Sequence, residues 1–155
     1  MTPALVHCIY ASTASAAFDQ HQLLDLLAVA RRRNAALGIT GVLLHDRGHF
    51  FQVLEGEPGA VDALYARIAA DPRHASVVQI IHEPIVRRSF AQWSMGFAQV
   101  SGAELADIEG LNDFFGAGHL LAQIDHGRAR KLVQAFGSGR WHRRLGAPAQ
   151  GGSAA

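Results

Sequence analysis

Residues 39 to 56 read ITGVLLHDRGHFFQVLEG, two apolar, β-prone runs on either side of Asp46-Arg47-Gly48. A short glycine-containing connection between two such runs closes a hairpin. The pattern therefore predicts two paired strands, and it sets a puzzle inside the second. Gln52 places a side-chain amide in the middle of an apolar run. Strand side chains alternate between faces, so on this strand alone Gln52 is expected to face solvent. If it is buried instead, two donors and two acceptor sites need partners, and leaving them unmet costs about 1–3 kcal/mol.

Outward from the hairpin, ALVHCIYA (residues 4 to 11) reads as a strand, with STAS as the turn that follows. From Phe18 to Leu37, Leu23, Leu26, Leu27 and Ala30 recur at helical spacing, and Gly38 stops the run. A second helix starts near Pro58, turns Val61, Leu64, Tyr65 and Ile68 inward, and ends at Asp71-Pro72, because the residue before a proline is pushed out of the α region. VVQIIHEPIV and WSMGFAQV supply a fourth and a fifth strand.

The order β-α-β-β-α-β-β over residues 1 to 101 predicts an α+β, ferredoxin-like sandwich, a five-stranded mixed sheet with two helices on one face. The other face is expected to stay open and, with the C-terminal part, to meet partners. Ser101 to Glu104 resembles a capping box, so residues 102 to 145 are read as an extension of two short helices, the second from Asp125 to before Gly137. GAPAQGGSAA, residues 146 to 155, reads as a flexible tail.

Composition narrows the function classes. Among 155 residues, 49% are hydrophobic and 17% charged, and a formal net charge of +1 provides no global field toward nucleic acid or an anionic membrane. A single cysteine, Cys8, leaves no internal disulfide and no Cys-rich zinc site, which suits a cytoplasmic setting. LVHCIYASTASAA has no basic region before it and reads as a strand and loop, and no segment is long enough to span a bilayer. His45 and His49 are spaced HxxxH, but the intervening turn argues against a metal site. Arg140, His142, Arg143 and Arg144 beside Trp141 read as a solvated end, so nucleic acid is not an expected partner.

Three more polar residues fall where the pattern asks for apolar ones. Tyr10 shares a strand face with Val6 and Cys8, which buries its ring and leaves its hydroxyl needing a partner. Asn34 continues the helical stripe of Leu23, Leu27 and Ala30, although an asparagine near Gly38 is also ordinary helix termination. Arg67 and Asp71 share an edge of the second helix, where surface pairing is their usual fate. Since both helices cover one sheet face, Asn34, Arg67 and Asp71 are candidates to line one groove, whose amides and arginine suit a planar heteroaromatic ligand with imide edges.

Taken together, LVHCIYAS, ARRRNAALGITGVLL, GHFFQVLEG, LYARIAADPRHASV and RRSFAQWSMGF resemble, in order, the motifs of the BLUF family of blue-light sensors. The resemblance spans nearly all of residues 4 to 100. It implies FAD bound non-covalently between the two helices, with Tyr10, Gln52 and Met95 in photoactive positions and Trp93 in a nearby one. It implies that Asn34 contacts the flavin imide edge and that Arg67 and Asp71 hold the cofactor, with Arg73 and His74 also matching family positions. Arg33 stands where relatives often carry asparagine or histidine, so the contact implied there is changed or lost.

The implied mechanism is electron and proton transfer from Tyr10 to the flavin, rearrangement of the hydrogen bonds of Gln52, and a relay through the fifth strand to the C-terminal helices. About 54 residues follow residue 101, fewer than the ~100 of a usual catalytic domain. No enzyme activity is expected; the output is an interaction with a downstream signalling protein or a second copy. The alternatives are a small flavin-dependent reductase and a flavin-free ferredoxin-like ligand-binding or hydrolase module. The first lacks a dinucleotide-type glycine motif, and the second has only Arg67 or Arg73 as an anion ligand.

Overall fold

Strands β2 (Thr40–Asp46) and β3 (His49–Gly56) form the expected hairpin in the computed structural model, which describes residues 4–15 and 19–138. Only Arg47 and Gly48 turn the chain, with φ of +49° and +82°. Positive φ at both central residues is what a type I′ turn requires, and its twist matches that of the strands it joins.

β1 (Leu5–Ala14) lies between β3 and β4 (His74–Ile85). It runs three residues into the turn expected at STAS, because Ser12 and Thr13 pair with Phe50 and His49 while Ala14 pairs with His74. Ladder partners on both sides override local turn preference. The full order is β4-β1-β3-β2-β5, antiparallel except that β5 (Gly96–Gln99) runs parallel to β2. The fold is thus the ferredoxin-like α+β sandwich, but the fifth strand starts later than expected and leaves Trp93, Ser94 and Met95 in its approach.

Helix α1 (Gln20–Leu37) starts at Asp19, whose carboxylate accepts from the Gln22 N–H at 2.7 Å in a reciprocal capping box. Phe18, the expected start, lies outside the described residues. Helix α2 (Pro58–Ala70) has proline in its first turn and ends at Asp71, extended at ψ 122° before Pro72.

α1 and α2 cover one sheet face and enclose a core that includes Leu23, Leu27, Leu54, Val61 and Leu64. The opposite face is not open. Ile9, Val42, Phe51 and Val53 pack there against Leu105, Leu111, Leu121, Leu132 and Phe136 from the C-terminal part. Burying that apolar face provides the driving force that holds the extension to the sheet.

The extension has more pieces than expected: α3 (Gly102–Ala106), α4 (Asn112–Gly116), a 3₁₀ turn (Leu121–Gln123) and α5 (His126–Gly137). The predicted Ser101/Glu104 capping box is present, but the run divides at Gly110 and Gly118, both with positive φ. The expected tail and the basic run at 140–144 lie outside the described residues.

Two polar ties fix the extension and the β4–β5 connection. Arg130 of α5 donates to both carboxylate oxygens of Glu83 on β4 at 2.7 and 2.5 Å, and His7 Nε2 lies 2.9 Å from the same group. These contacts, Arg130 first, hold the Glu83 carboxyl down at about 2. On β3, the fully buried Glu55 carboxylate accepts from Thr40 Oγ1 (2.9 Å), Ser89 N (2.6 Å) and Phe90 N (3.1 Å), pinning the loop that leads to Trp93.

Candidate functional site

Tyr10 and Gln52 are direct partners across the β1–β3 ladder, so their side chains emerge side by side on the α1/α2 face. Both are buried, at 1% and 6% exposure, which overturns the solvent-facing reading of Gln52. The Tyr10 hydroxyl donates to Gln52 Oε1, and Gln52 Nε2 donates to Met95 Sδ at 3.2 Å. The amide therefore uses its acceptor toward one neighbour and its donor toward another. β1 changes register against β4 just after Ile9 and again beyond Ala11, so Tyr10 sits between two irregularities of the ladder.

Burial pushes the Tyr10 phenol far above its usual value, with smaller contributions from neighbouring Cys8 and Tyr65. The phenol is therefore held in its protonated form. Burial also raises Cys8 to about 11, which keeps it a thiol, and its Sγ accepts from Gln79 Nε2 at 3.3 Å. The Tyr65 ring stands 5.7 Å from the Tyr10 ring.

Tyr10, Gln52 and Met95 form one wall of a cleft between the helices. Leu27, Ala30 and Ile68 provide apolar sides, while Arg33, Asp71, Arg73 and His74 also line it. A shallower groove bounded by Gln22, Val29, Arg33 and Arg73 continues from it. Asn34 is fully buried one turn beyond Ala30; its Nδ2 donates to Ser94 O at 2.9 Å, but its Oδ1 has no hydrogen-bond partner among the described residues. Arg33 Nε is likewise buried without a partner among them. Burial, followed by repulsion from Arg67, makes the Arg33 guanidinium easier to deprotonate than usual.

Asp71 does not pair with Arg67. Arg73 takes the carboxylate instead, through Nη2 at 2.6 Å and Nε at 3.1 Å, and that contact holds Asp71 down at about 2. Arg67 is exposed near the end of α2 and does not line the cleft. His74 Nδ1 lies 2.9 Å from the hydroxyl of fully buried Ser12, and the His74 ring stands edge-on to Tyr10 at 6.4 Å. Burial makes His74 harder to protonate. Ser12 was missed because STAS reads as a turn; the two-residue alternation from Tyr10 was the signal that places it on this face.

Met95 and Trp93 separate. Met95 is fully buried against Gln52, whereas Trp93 packs on the opposite face with Phe90, ring centroids 6.4 Å apart. Three successive carbonyls of this approach are occupied: Gly41 N donates to Trp93 O (3.1 Å), Asn34 Nδ2 to Ser94 O and Arg31 Nε to Met95 O (2.9 Å). Arg31 also escaped the sequence reading, although it shares a helix edge with Asn34 at i,i+3.

The family profile described as sensors of blue-light using FAD matches residues 5–96. The chain belongs to the BLUF family. The photoactivated adenylate cyclase subunit alpha of Euglena gracilis is 38% identical over 85 residues, 55% of this chain and 8% of that protein. The blue light- and temperature-regulated antirepressor BluF of Escherichia coli K12 is 37% identical over 84 residues, 54% of this chain and 19% of that one. The chain thus spans less than a fifth of the length of these relatives, and the activities in their names are those of the longer proteins. The solved ground state of BlsA matches with a TM-score of 0.73 at 28% identity, over 86% of this chain and 87% of that chain.

BLUF domains bind flavin, and the cleft has the chemistry to meet one. An imide edge carries an N–H donor between carbonyl acceptors, which complements the unpartnered Asn34 Oδ1 acceptor and Arg33 Nε donor. A buried polar atom left without a partner is costly, so both are open to a ligand that offers the complementary group. Within the described residues, no cluster of His, Cys, Asp and Glu is arranged to hold a metal ion, and no helix is long and apolar enough to cross a membrane.

Proposed function

We propose that this BLUF sensor binds FAD in the α1–α2 cleft, uses Tyr10 as photochemical donor and Gln52 as switch, and signals to a partner protein without a catalytic step of its own. The observation that carries this reading is the buried series Tyr10 hydroxyl, Gln52 amide, Met95 thioether, set beside the open acceptor of Asn34. Arg33, Asp71, Arg73 and His74 hold the cofactor from the cleft walls, and Asn34 meets it from one turn beyond Ala30, with Arg67 outside them. Bound flavin supplies light absorption and the excited-state electron acceptor.

Tyr10 is poised to lose an electron and its phenolic proton together, because burial disfavours a lone phenolate. That proton already points at Gln52 Oε1. An amide can exchange donor for acceptor by rotating or tautomerising, so the Gln52 contact to Met95 Sδ responds to events at Tyr10. The arrangement with Nε2 on sulfur is assigned to the dark form. From Met95 the change passes along the approach to β5, past Trp93, into the core that holds α3, α4 and α5, a two-state element biased by a local hydrogen-bond change.

A protein partner acting in trans agrees with the antirepressor name of the E. coli relative and with a helical extension docked on the sheet. A cytoplasmic setting suits the single buried thiol. The test is the absorption spectrum of the purified chain together with the mass of its released chromophore. A yellow protein releasing FAD, whose flavin band moves reversibly to the red after blue light, is the expected result. A colourless protein, or light-driven consumption of an added electron donor, contradicts it.

A further inference from the structure

We infer that Arg31 is a positioning residue of the photoresponse: by donating from Nε to the Met95 carbonyl, it holds the Met95 thioether against the Gln52 amide and helps set how fast the response decays. The inference rests on the function proposed above and concerns a residue on the outer side of that site.

The approach to β5 is unusual in what holds it. β5 pairs with β2 only from Gly96 onward, yet the three residues before it are fixed carbonyl by carbonyl. The Trp93 carbonyl is held by a backbone N–H of β2, the Ser94 carbonyl by Asn34 and the Met95 carbonyl by Arg31. Two of these three donors are side chains of one edge of α1, at i and i+3. The third comes from Gly41, where a Cβ would run into the Val53 carbonyl oxygen, so β2 and β3 are already in closest approach and cannot yield there.

A methionine has three rotatable side-chain bonds and by itself specifies position poorly. Pinning its backbone at the carbonyl fixes the point from which those bonds turn, and full burial then leaves the sulfur where Gln52 Nε2 meets it. The donor is a guanidinium, so the bond is charge-assisted and stronger than an amide contact of the same length. A rearrangement at Gln52 that displaces Met95 must therefore either turn the side chain about a fixed backbone or break the Arg31 contact. Asn34 adds a second tie from the same edge, since its amide nitrogen holds Ser94.

If the Arg31 contact belongs to the dark arrangement, removing it takes away part of the driving force for return. The lit form should then live longer. The test compares dark-recovery times and melting temperatures of the flavin-loaded parent, Arg31→Met and Arg31→Lys after a blue-light pulse. Arg31→Met keeps an unbranched helical side chain without the donor; it should stay yellow, show the red shift and recover about two- to fivefold more slowly. Arg31→Lys, which retains a cationic donor, should fall between it and the parent. Should Arg31→Met fail to fold, Arg31→Leu, which also lacks a donor, decides on the same terms. A role confined to packing predicts a lower melting temperature with the parent's recovery time, and that result overturns the inference alone. A parent with no reversible red shift removes the functional reading and the inference with it.

Discussion

The two faces of the sheet are built to different rules. The face under α1 and α2 buries Tyr10, Ser12, Gln52 and Asn34, and leaves Asn34 Oδ1 and Arg33 Nε without partners among the described residues. The face under the C-terminal part is an apolar core in which Phe51, Val53, Trp93, Leu111 and Phe136 pack together. Their difference matches the division of labour proposed above: the face with buried polar groups suits a ligand that completes its hydrogen bonds, and the wholly apolar face supplies stability.

Substitutions on the two faces should therefore fail in opposite ways. Phe51→Ala opens a cavity in the apolar core and should cost about 3–5 kcal/mol in denaturant unfolding, more than any polar substitution proposed for either face. Tyr10→Phe should leave flavin bound and stability within about 1–2 kcal/mol of the parent, because only one hydroxyl contact goes, while the light-induced shift is lost. An unchanged photocycle in Tyr10→Phe would remove Tyr10 as donor. Should Phe51→Ala prove as stable as the parent, the division of labour between the faces fails.

Glu55 sits where the two regimes meet, on β3 but turned toward the loop that carries Trp93. Glu55→Leu leaves the Ser89 and Phe90 N–H groups without their acceptor and should cost about 1–3 kcal/mol, with faster amide exchange at both positions by NMR. Normal protection there would show that the loop is held by other contacts.

A smaller effect is expected at the edge where α5 meets β4. The Glu83 carboxyl is held at about 2 by Arg130 and His7, below the ~4.3 of an unfolded glutamate. A depressed carboxyl contributes stability that is complete above its unfolded value and is lost as pH falls toward the folded one. Asp71, held down by Arg73, acts in the same direction. Unfolding midpoints should thus drop between about pH 5 and pH 2, and Glu83→Gln should shallow that slope without abolishing it. An identical slope in the variant would show that α5 docking draws nothing from this pair.

What was legible in the sequence follows the same division. Local chemistry was readable: the Arg47-Gly48 turn, Pro58 at a helix start, Asp71 before Pro72 and the Ser101/Glu104 box each depend on near neighbours. The family motifs carried Tyr10, Gln52 and Met95 to their positions, and the structure brings these three into contact. Features set by distant partners were not readable. Ser12 and Thr13 are strand because β3 and β4 flank them, and the far face is closed by helices whose docking depends on the whole sheet. The placing of Met95 on one face and Trp93 on the other depends on carbonyl contacts to α1 and β2, which no strand periodicity encodes.

The central claim is that the Gln52 amide is the switch, and the most direct measurement is the light-minus-dark absorption spectrum of Gln52→Leu beside the parent. Leucine fills much of the same space but can neither accept from Tyr10 nor donate to Met95. The account predicts a folded, yellow variant with no red shift after blue light, next to a parent that shifts and recovers. A Gln52→Leu protein that shifts and recovers as the parent does would contradict it.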